Sequence, residues 1–353
     1  MDACSRRQHL CHLSALGLAF GLPLAHAAPA KTLRVLAWPG YAEPEVVKAF
    51  EVGQQVKVEV TTVDSDEVLW RRISARGGAD FDVFAINTAE LQRCIRQGLV
   101  QPVPLSAVPA VGRQLPRFQQ VQHIQGLVHG GRTMAIPFTY AEMGLMYDRA
   151  HFAQPPSSIA ALWEARHQGK VLAYNGGTHN FSLAAQALGL PLPFRLGEKD
   201  WPQVVHKLIA LRRNVAAFYT QPEESLALFK QKQAVLMLAN YGSQQWQLFN
   251  RAGLALGYAI PREGALAWLD CWAISSGAND AALAAAWIDH LLGPQASGLL
   301  VSRQGLSNTL QEPSYTQPND KLVWLQPPED DDRRNRLWGR IVSGDRFAKV
   351  MTA

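Results

Sequence analysis

An α/β fold of two lobes joined by two crossing segments is what the sequence predicts, and three observations predict it. Strand-like and helix-like stretches alternate over residues 32–98 and again over 157–240. Such alternation builds parallel-rich sheets covered by helices on both faces. Two long extended runs, near Ile136–Met146 and Tyr258–Trp268, separate the alternating units. The chain has 353 residues, 48% hydrophobic and 18% charged, which suits two globular domains. A chain that crosses twice between lobes leaves a cleft between them and can hinge about the crossings.

Each element has its own reason. Residues 1–27 precede the fold. Arg6 and Arg7, then an apolar run, then Ala25-His26-Ala27 follow the order of a secretory signal peptide, with cleavage after Ala27. "SRRQHL" (Ser5–Leu10) also resembles a twin-arginine export signal, with His9 where Phe is usual. The apolar run is too short to span a bilayer. "TLRVLAW" reads as a strand, and "AEPEVVKAFEV" as a helix with Pro44 in its first turn. "QVKVEVTTV" alternates, which points Val56, Val58 and Val60 inward. "DSDEVLWRRISAR" reads as a helix with Asp64 and Glu67 spaced as a capping box. "DFDVFAIN" is nearly continuous in apolar residues, as a buried strand is. "TAELQRCIRQG" reads as a helix from Thr88 as N-cap to Gly98 as stop.

Residues 101–133 break this rhythm with Pro, Gln and Gly. The second unit follows. "SSIAALWEAR" reads as helix and "GKVLAYN" as strand. "GGTHNFSLAAQALGL" turns on two glycines into a helix. "WPQVVHKLIALRRN" and "QPEESLALFKQKQ" are amphipathic helices, and "AVLMLAN" is a strand. "NDAALAAAWIDHLLGP" is a helix with a small-residue face. The acid run Glu329–Asp332 reads as a solvated loop or helix start. The expected division is residues 28–138 plus 268–315 in the first lobe and 139–267 plus 316–353 in the second.

Charge and motifs narrow the function. Removing residues 1–27 takes away two arginines and one aspartate, so the formal charge falls from +5 to +4. No basic block argues for nucleic acid. Cys4 and Cys11 lie in the leader, and Cys94 and Cys271 read as two buried free thiols. The chain carries no G-x-S-x-G, H-E-x-x-H or Walker loop, and no His cluster outside the leader has ligand spacing. The expectation is a non-enzyme without cofactor or metal.

One stretch does point to a ligand. "GALAWLDCWAISS" (Gly264–Ser276) sets an acid between two tryptophans. On a strand, Trp268, Asp270 and Trp272 share one face, and Leu269, Cys271 and Ala273 the other. Asp270 is then either an acid paired with an arginine at the edge of a core, or part of a seat for an organic cation.

Several stretches together resemble the periplasmic spermidine/putrescine-binding proteins of ABC importers. They are "LRVLAWPGYAEPEVVKAFE", "FDVFAINTAELQRCIRQGLVQPV", "AIPFTYAEMGLMYD", "YAIPREGALAWLDCWAIS" and "HLLGPQASGLLVSRQGLSN". The resemblance runs along nearly the whole chain after the leader. It implies a two-lobed Venus-flytrap (periplasmic-binding-protein) fold, ligand at the hinge, a periplasmic location and a membrane permease as partner, with the protein itself a monomer. It also implies that Trp38 and Tyr41 pack along the polyamine, that Asn87 contacts an amine, and that Trp268 and Asp270 bind the ammonium. Acidic residues of the family's second-lobe loop are replaced here by Asn175, Gly176 and His179. Asn240 stands where a tryptophan is expected, with Tyr241 beside it. Glu142 is the candidate replacement charge if it faces the cleft, and otherwise an exposed acid paired with arginine. The expected function is capture of a polyamine. The alternatives are a single-amine ligand such as γ-aminobutyrate or an amino acid, with His179 or an arginine on its carboxylate, and an exported enzyme on the same scaffold.

Overall fold

The computed structural model describes residues 31–317 and 319–352. The expected signal peptide therefore lies outside the described residues. No helix among the described residues is long and apolar enough to cross a membrane.

The chain forms two lobes, each built on one mixed sheet. The first sheet opens with three βα units. Strands β1 (Thr32–Ala37), β2 (Lys57–Thr62) and β3 (Val83–Asn87) pair in parallel in the order β2-β1-β3. Helices α1 (Pro44–Gln54), α2 (Asp66–Ser74) and α3 (Thr88–Arg96) follow each strand. Parallel neighbours need such crossovers, because a hairpin can join only antiparallel strands. Strand β4 (Ile136–Glu142) then enters the same sheet.

The chain passes to the second sheet through Met143 and Gly144. A Cβ at Gly144 would collide with the Tyr258 ring. The Tyr258 hydroxyl accepts from the Gly144 N–H at 3.0 Å and donates to the Glu142 carbonyl at 2.8 Å. The second sheet holds β5 (Leu145–Tyr147), β6 (Val171–Tyr174), β7 (Val215–Tyr219), β8 (Leu236–Leu238) and β9 (Gly257–Ala259), in the order β7-β6-β8-β5-β9. Helices α4 (Gly177–Ala187), α5 (Trp201–Asn214), α6 (Pro222–Gln231) and α7 (Ser243–Arg251) flank it.

Residues 260–264 return the chain to the first sheet. There β10 (Ala265–Ser275) runs antiparallel between β4 and β3. Parallel pairing thus holds within the βα units, and the crossing strands add the antiparallel pairs. Strand pairing places Thr139–Glu142 and Ala265–Ala267 in the first sheet, which the expected boundaries gave to the second lobe. After α8 (Ala281–Leu291), β11 (Ser307–Asn308) pairs with β4. Strand β12 (Leu322–Trp324) pairs in parallel with β10, although residues 316–353 were expected in the second lobe. Only then does the chain cross a third time, to α9 (Asp331–Val342), which packs on α4 and α5.

Apolar side chains cover both faces of each sheet, in four clusters. The alternation read in β10 is real. Leu269, Cys271 and Ala273 pack in one cluster and Trp272 in another. Trp272 is core, edge-on to Phe138 and Trp287, and takes no part in a cleft. Cys94 and Cys271 are free and buried.

Some local expectations are corrected. β2 is an edge strand, and of two valines on one of its faces Val58 is buried while Val60 is exposed. Residues 159–167 form short 3₁₀ turns rather than a helix. The caps also shift by one residue. Ser65, not Asp64, caps α2, accepting from the Val68 N–H at 3.4 Å. Asn87, not Thr88, caps α3.

Candidate functional site

A cavity of about 650 Å³ opens where the strand ends and helix starts of the first sheet meet those of the second. Its first wall begins at the end of β1. Gly40 takes a positive φ of 82°, and a Cβ there would run into the Gln304 side chain. This turn, closed by the Tyr41 N–H to the Trp38 carbonyl at 3.2 Å, brings Trp38 and Tyr41 to the cavity.

Tyr41 is buried and its hydroxyl donates to Asp270 Oδ2 at 2.5 Å. Asp270 is 9% exposed and lines the cavity. Its carboxyl is pushed up to about 7. Burial is the main cause, the Tyr41 hydrogen bond opposes it, and the nearby charge of Asp66 adds to it. Asp270 is therefore not the arginine-paired acid of the simpler reading. That arrangement belongs to Asp82, held by Arg34 through Nη2 at 2.7 Å and Nε at 3.0 Å. Trp268 stands beside Asp270 and packs against the main core of either lobe.

Asn87 lies directly opposite Asp270 in the β3/β10 ladder. Its Oδ1 accepts from the Ala89 and Glu90 N–H groups at 3.0 and 2.9 Å, which caps α3. Its Nδ2 donates to Asp66 Oδ1 at 2.9 Å. The amide oxygen is thus already engaged, and Asn87 orients Asp66. Asp66 opens α2, lines the cavity and is exposed. The surrounding protein still pushes its carboxyl up to about 6, through desolvation first and the charge of Glu90 second.

The second wall is uncharged. It comprises Tyr174, Thr178, His179, Tyr241 and Gln244. His179 Nδ1 lies 3.0 Å from Asn240 Oδ1, an oxygen that can only accept. A proton on Nδ1 completes this bond. Burial pulls the His179 pKa down, so the ring is neutral at neutral pH. Tyr174 stacks obliquely near His179 and meets Tyr241 edge-on.

The structure thus brings Trp38, Tyr41, Asn87, His179, Tyr241, Trp268 and Asp270 together. It leaves three expected residues outside. Glu142 is fully buried, neither in the cavity nor exposed. Burial pushes its carboxyl up to about 7, with Tyr315 and Tyr258 close enough to oppose the shift, though neither makes a well-formed hydrogen bond to the carboxylate. Asn175 is exposed and accepts from Trp338 Nε1 at 2.9 Å. Asn240 is buried behind His179. Sequence reasoning missed Asp64, Asp66, Tyr174, Thr178 and Gln244. The acids of "DSD" were legible, but a helix start explains them so readily that a second use is hidden.

A family model for the bacterial extracellular solute-binding proteins matches residues 45–310. The putrescine-binding periplasmic protein PotF of Escherichia coli is 24% identical over 352 residues, covering 90% of this chain and 93% of that one. Among solved structures, the spermidine/putrescine substrate-binding protein PotD of Streptococcus pneumoniae superposes with a TM-score of 0.69 at 18% identity, over 91% of this chain and 99% of that one. The GABA receptor Atu4243 superposes with a TM-score of 0.68 at 15% identity, over 90% and 99%. These structural likenesses support the fold.

Proposed function

This chain belongs to the bacterial extracellular solute-binding proteins, and from that premise we propose that it captures a polyamine of the putrescine or spermidine type. The ligand sits in the cavity between the sheets and passes to the membrane permease of an ABC importer. The protein works in the periplasm. One observation carries this reading. The cavity is lined by Asp64, Asp66 and Asp270 and, among the described residues, by no lysine or arginine. A ligand that carries only positive charge balances such a wall. Trp38, Tyr41 and Trp268 supply aromatic surface for its methylenes and its cationic nitrogen, the latter worth ~2 kcal/mol when desolvated. The name of the E. coli relative, a putrescine-binding protein, agrees with this.

A second reading, an amino acid or γ-aminobutyrate, draws on the uncharged second wall. Its carboxylate would there meet His179, a neutral ring that offers no positive charge. With no lysine or arginine in the lining to pair that carboxylate, the charge balance favours the polyamine.

Calorimetry at neutral pH with putrescine, spermidine and γ-aminobutyrate tests the choice. Binding of either polyamine, with none of γ-aminobutyrate, is expected. Binding of γ-aminobutyrate alone would overturn the polyamine and leave the solute-binding role standing.

A further inference from the structure

On the amine reading above, we propose that Asp66 is a second binding carboxylate, and that Asp66 and Asp270 grip the same cationic end of the ligand. The placement follows from the ladder. Directly opposed residues of an antiparallel pair send their side chains out on one side of the sheet. Asn87 and Asp270 are such a pair, and Asn87 Nδ2 holds Asp66 Oδ1 at 2.9 Å. The two carboxylates are therefore held side by side at one end of the cavity that both line.

The charged and titratable groups around Asp66 are Glu90 from α3, Asp270 from β10, the Tyr41 hydroxyl after β1, and Asp64 just before α2. These four are acidic or neutral, and the cation on α3, Arg93, pairs with Glu90 at 3.6 Å. Both carboxyls are pushed up, to about 6 and about 7, by desolvation first and by a nearby negative charge besides, that of Glu90 at Asp66 and that of Asp66 at Asp270. A cation relieves both. A primary ammonium has three N–H donors and a guanidinium five, enough for two carboxylates and a further acceptor. The wall across the cavity offers hydroxyls, a neutral imidazole and an amide. The ligand class is thus an aliphatic amine or guanidine whose cationic end lies on the first wall and whose other end needs no charge.

Calorimetry with putrescine and N-acetylputrescine on the wild type, Asp66→Asn and Asp270→Asn tests this, with the titrations repeated in two buffers to count released protons. The asparagine at 66 still accepts from Asn87, so the variant keeps its fold, and a thermal melt checks that it does. The wild type should bind both probes, the acetylated one within about tenfold of putrescine. Asp66→Asn should weaken both probes alike, by about tenfold or more, as loss of a charge-assisted bond does. It should also release fewer protons near pH 6.5. Unchanged affinity and proton release in Asp66→Asn would overturn the proposal and leave the amine reading intact. So would weakening toward putrescine alone, which would put Asp66 at the other end, or failure of the wild type to bind N-acetylputrescine while it binds putrescine. Binding of neither probe by the wild type would sink the amine reading and this inference with it.

Discussion

Asp270 and Glu142 are two buried acids in neighbouring strands with different uses. Both have carboxyls pushed up to about 7 by burial. An unfolded carboxyl titrates near ~4. Between pH ~4 and 7 the folded protein therefore holds protons that the unfolded chain has released. These two groups stabilise the fold at the acid end of that window, and the contribution is lost as pH rises through 7. Urea unfolding of the empty protein at pH 5 and pH 8 should show it. Asp270→Asn and Glu142→Gln should each lose less stability than the wild type over that range, and each should melt higher than the wild type at pH 8. Affinity separates them. Asp270→Asn should weaken putrescine by ~1.5–3 kcal/mol, the worth of a hydrogen bond to a charged group. Glu142→Gln, outside the cavity, should bind as the wild type does. Asp270 was singled out by its place between two tryptophans, but only the family resemblance chose a ligand over an arginine as its partner. Glu142 was not, because a one-dimensional pattern does not say which neighbour covers a strand residue.

At the scale of elements, α9 carries the clearest energetic demand. Arg334 is fully buried within it. It donates to Glu329 through Nε at 2.9 Å and Nη2 at 2.7 Å, and to Ser182 Oγ of α4 at 2.7 Å. Removing one partner of a buried pair strands the other, at a cost of ~3–5 kcal/mol. Arg334→Ala should therefore lower the urea midpoint by a corresponding amount, while Lys57→Ala, whose ion pair to Glu59 is exposed on both sides, should change it little. The acid run read as a helix start is one, since Asp330 caps α9. Most βα units were legible because their apolar periods and caps agree. Strand β7 was missed because it follows α5 with no intervening residue, so nothing punctuates the change. The one-residue cap shifts arose because two side chains in a row can each accept a helix N–H, and only the backbone angle selects one.

At the scale of the molecule, the three crossings, at Met143–Gly144, at 260–264 and at 325–330 between β12 and α9, make hinge motion about the cavity the expected response to ligand. Small-angle scattering should give a smaller radius of gyration with saturating putrescine, and an unchanged value would count against closure. The distribution of charge has a further consequence. All the acid of the cavity lies on the first lobe's wall, while the second lobe contributes neutral groups. Arrival and departure of a cation are then governed by different halves of the protein. Capture is a collision with one wall, and its rate should fall as salt screens Asp64, Asp66 and Asp270. Escape waits until Tyr174, His179 and Tyr241 swing clear. In stopped-flow measurements a substitution at Tyr241 should shorten the time the ligand stays and hardly alter how fast it is found.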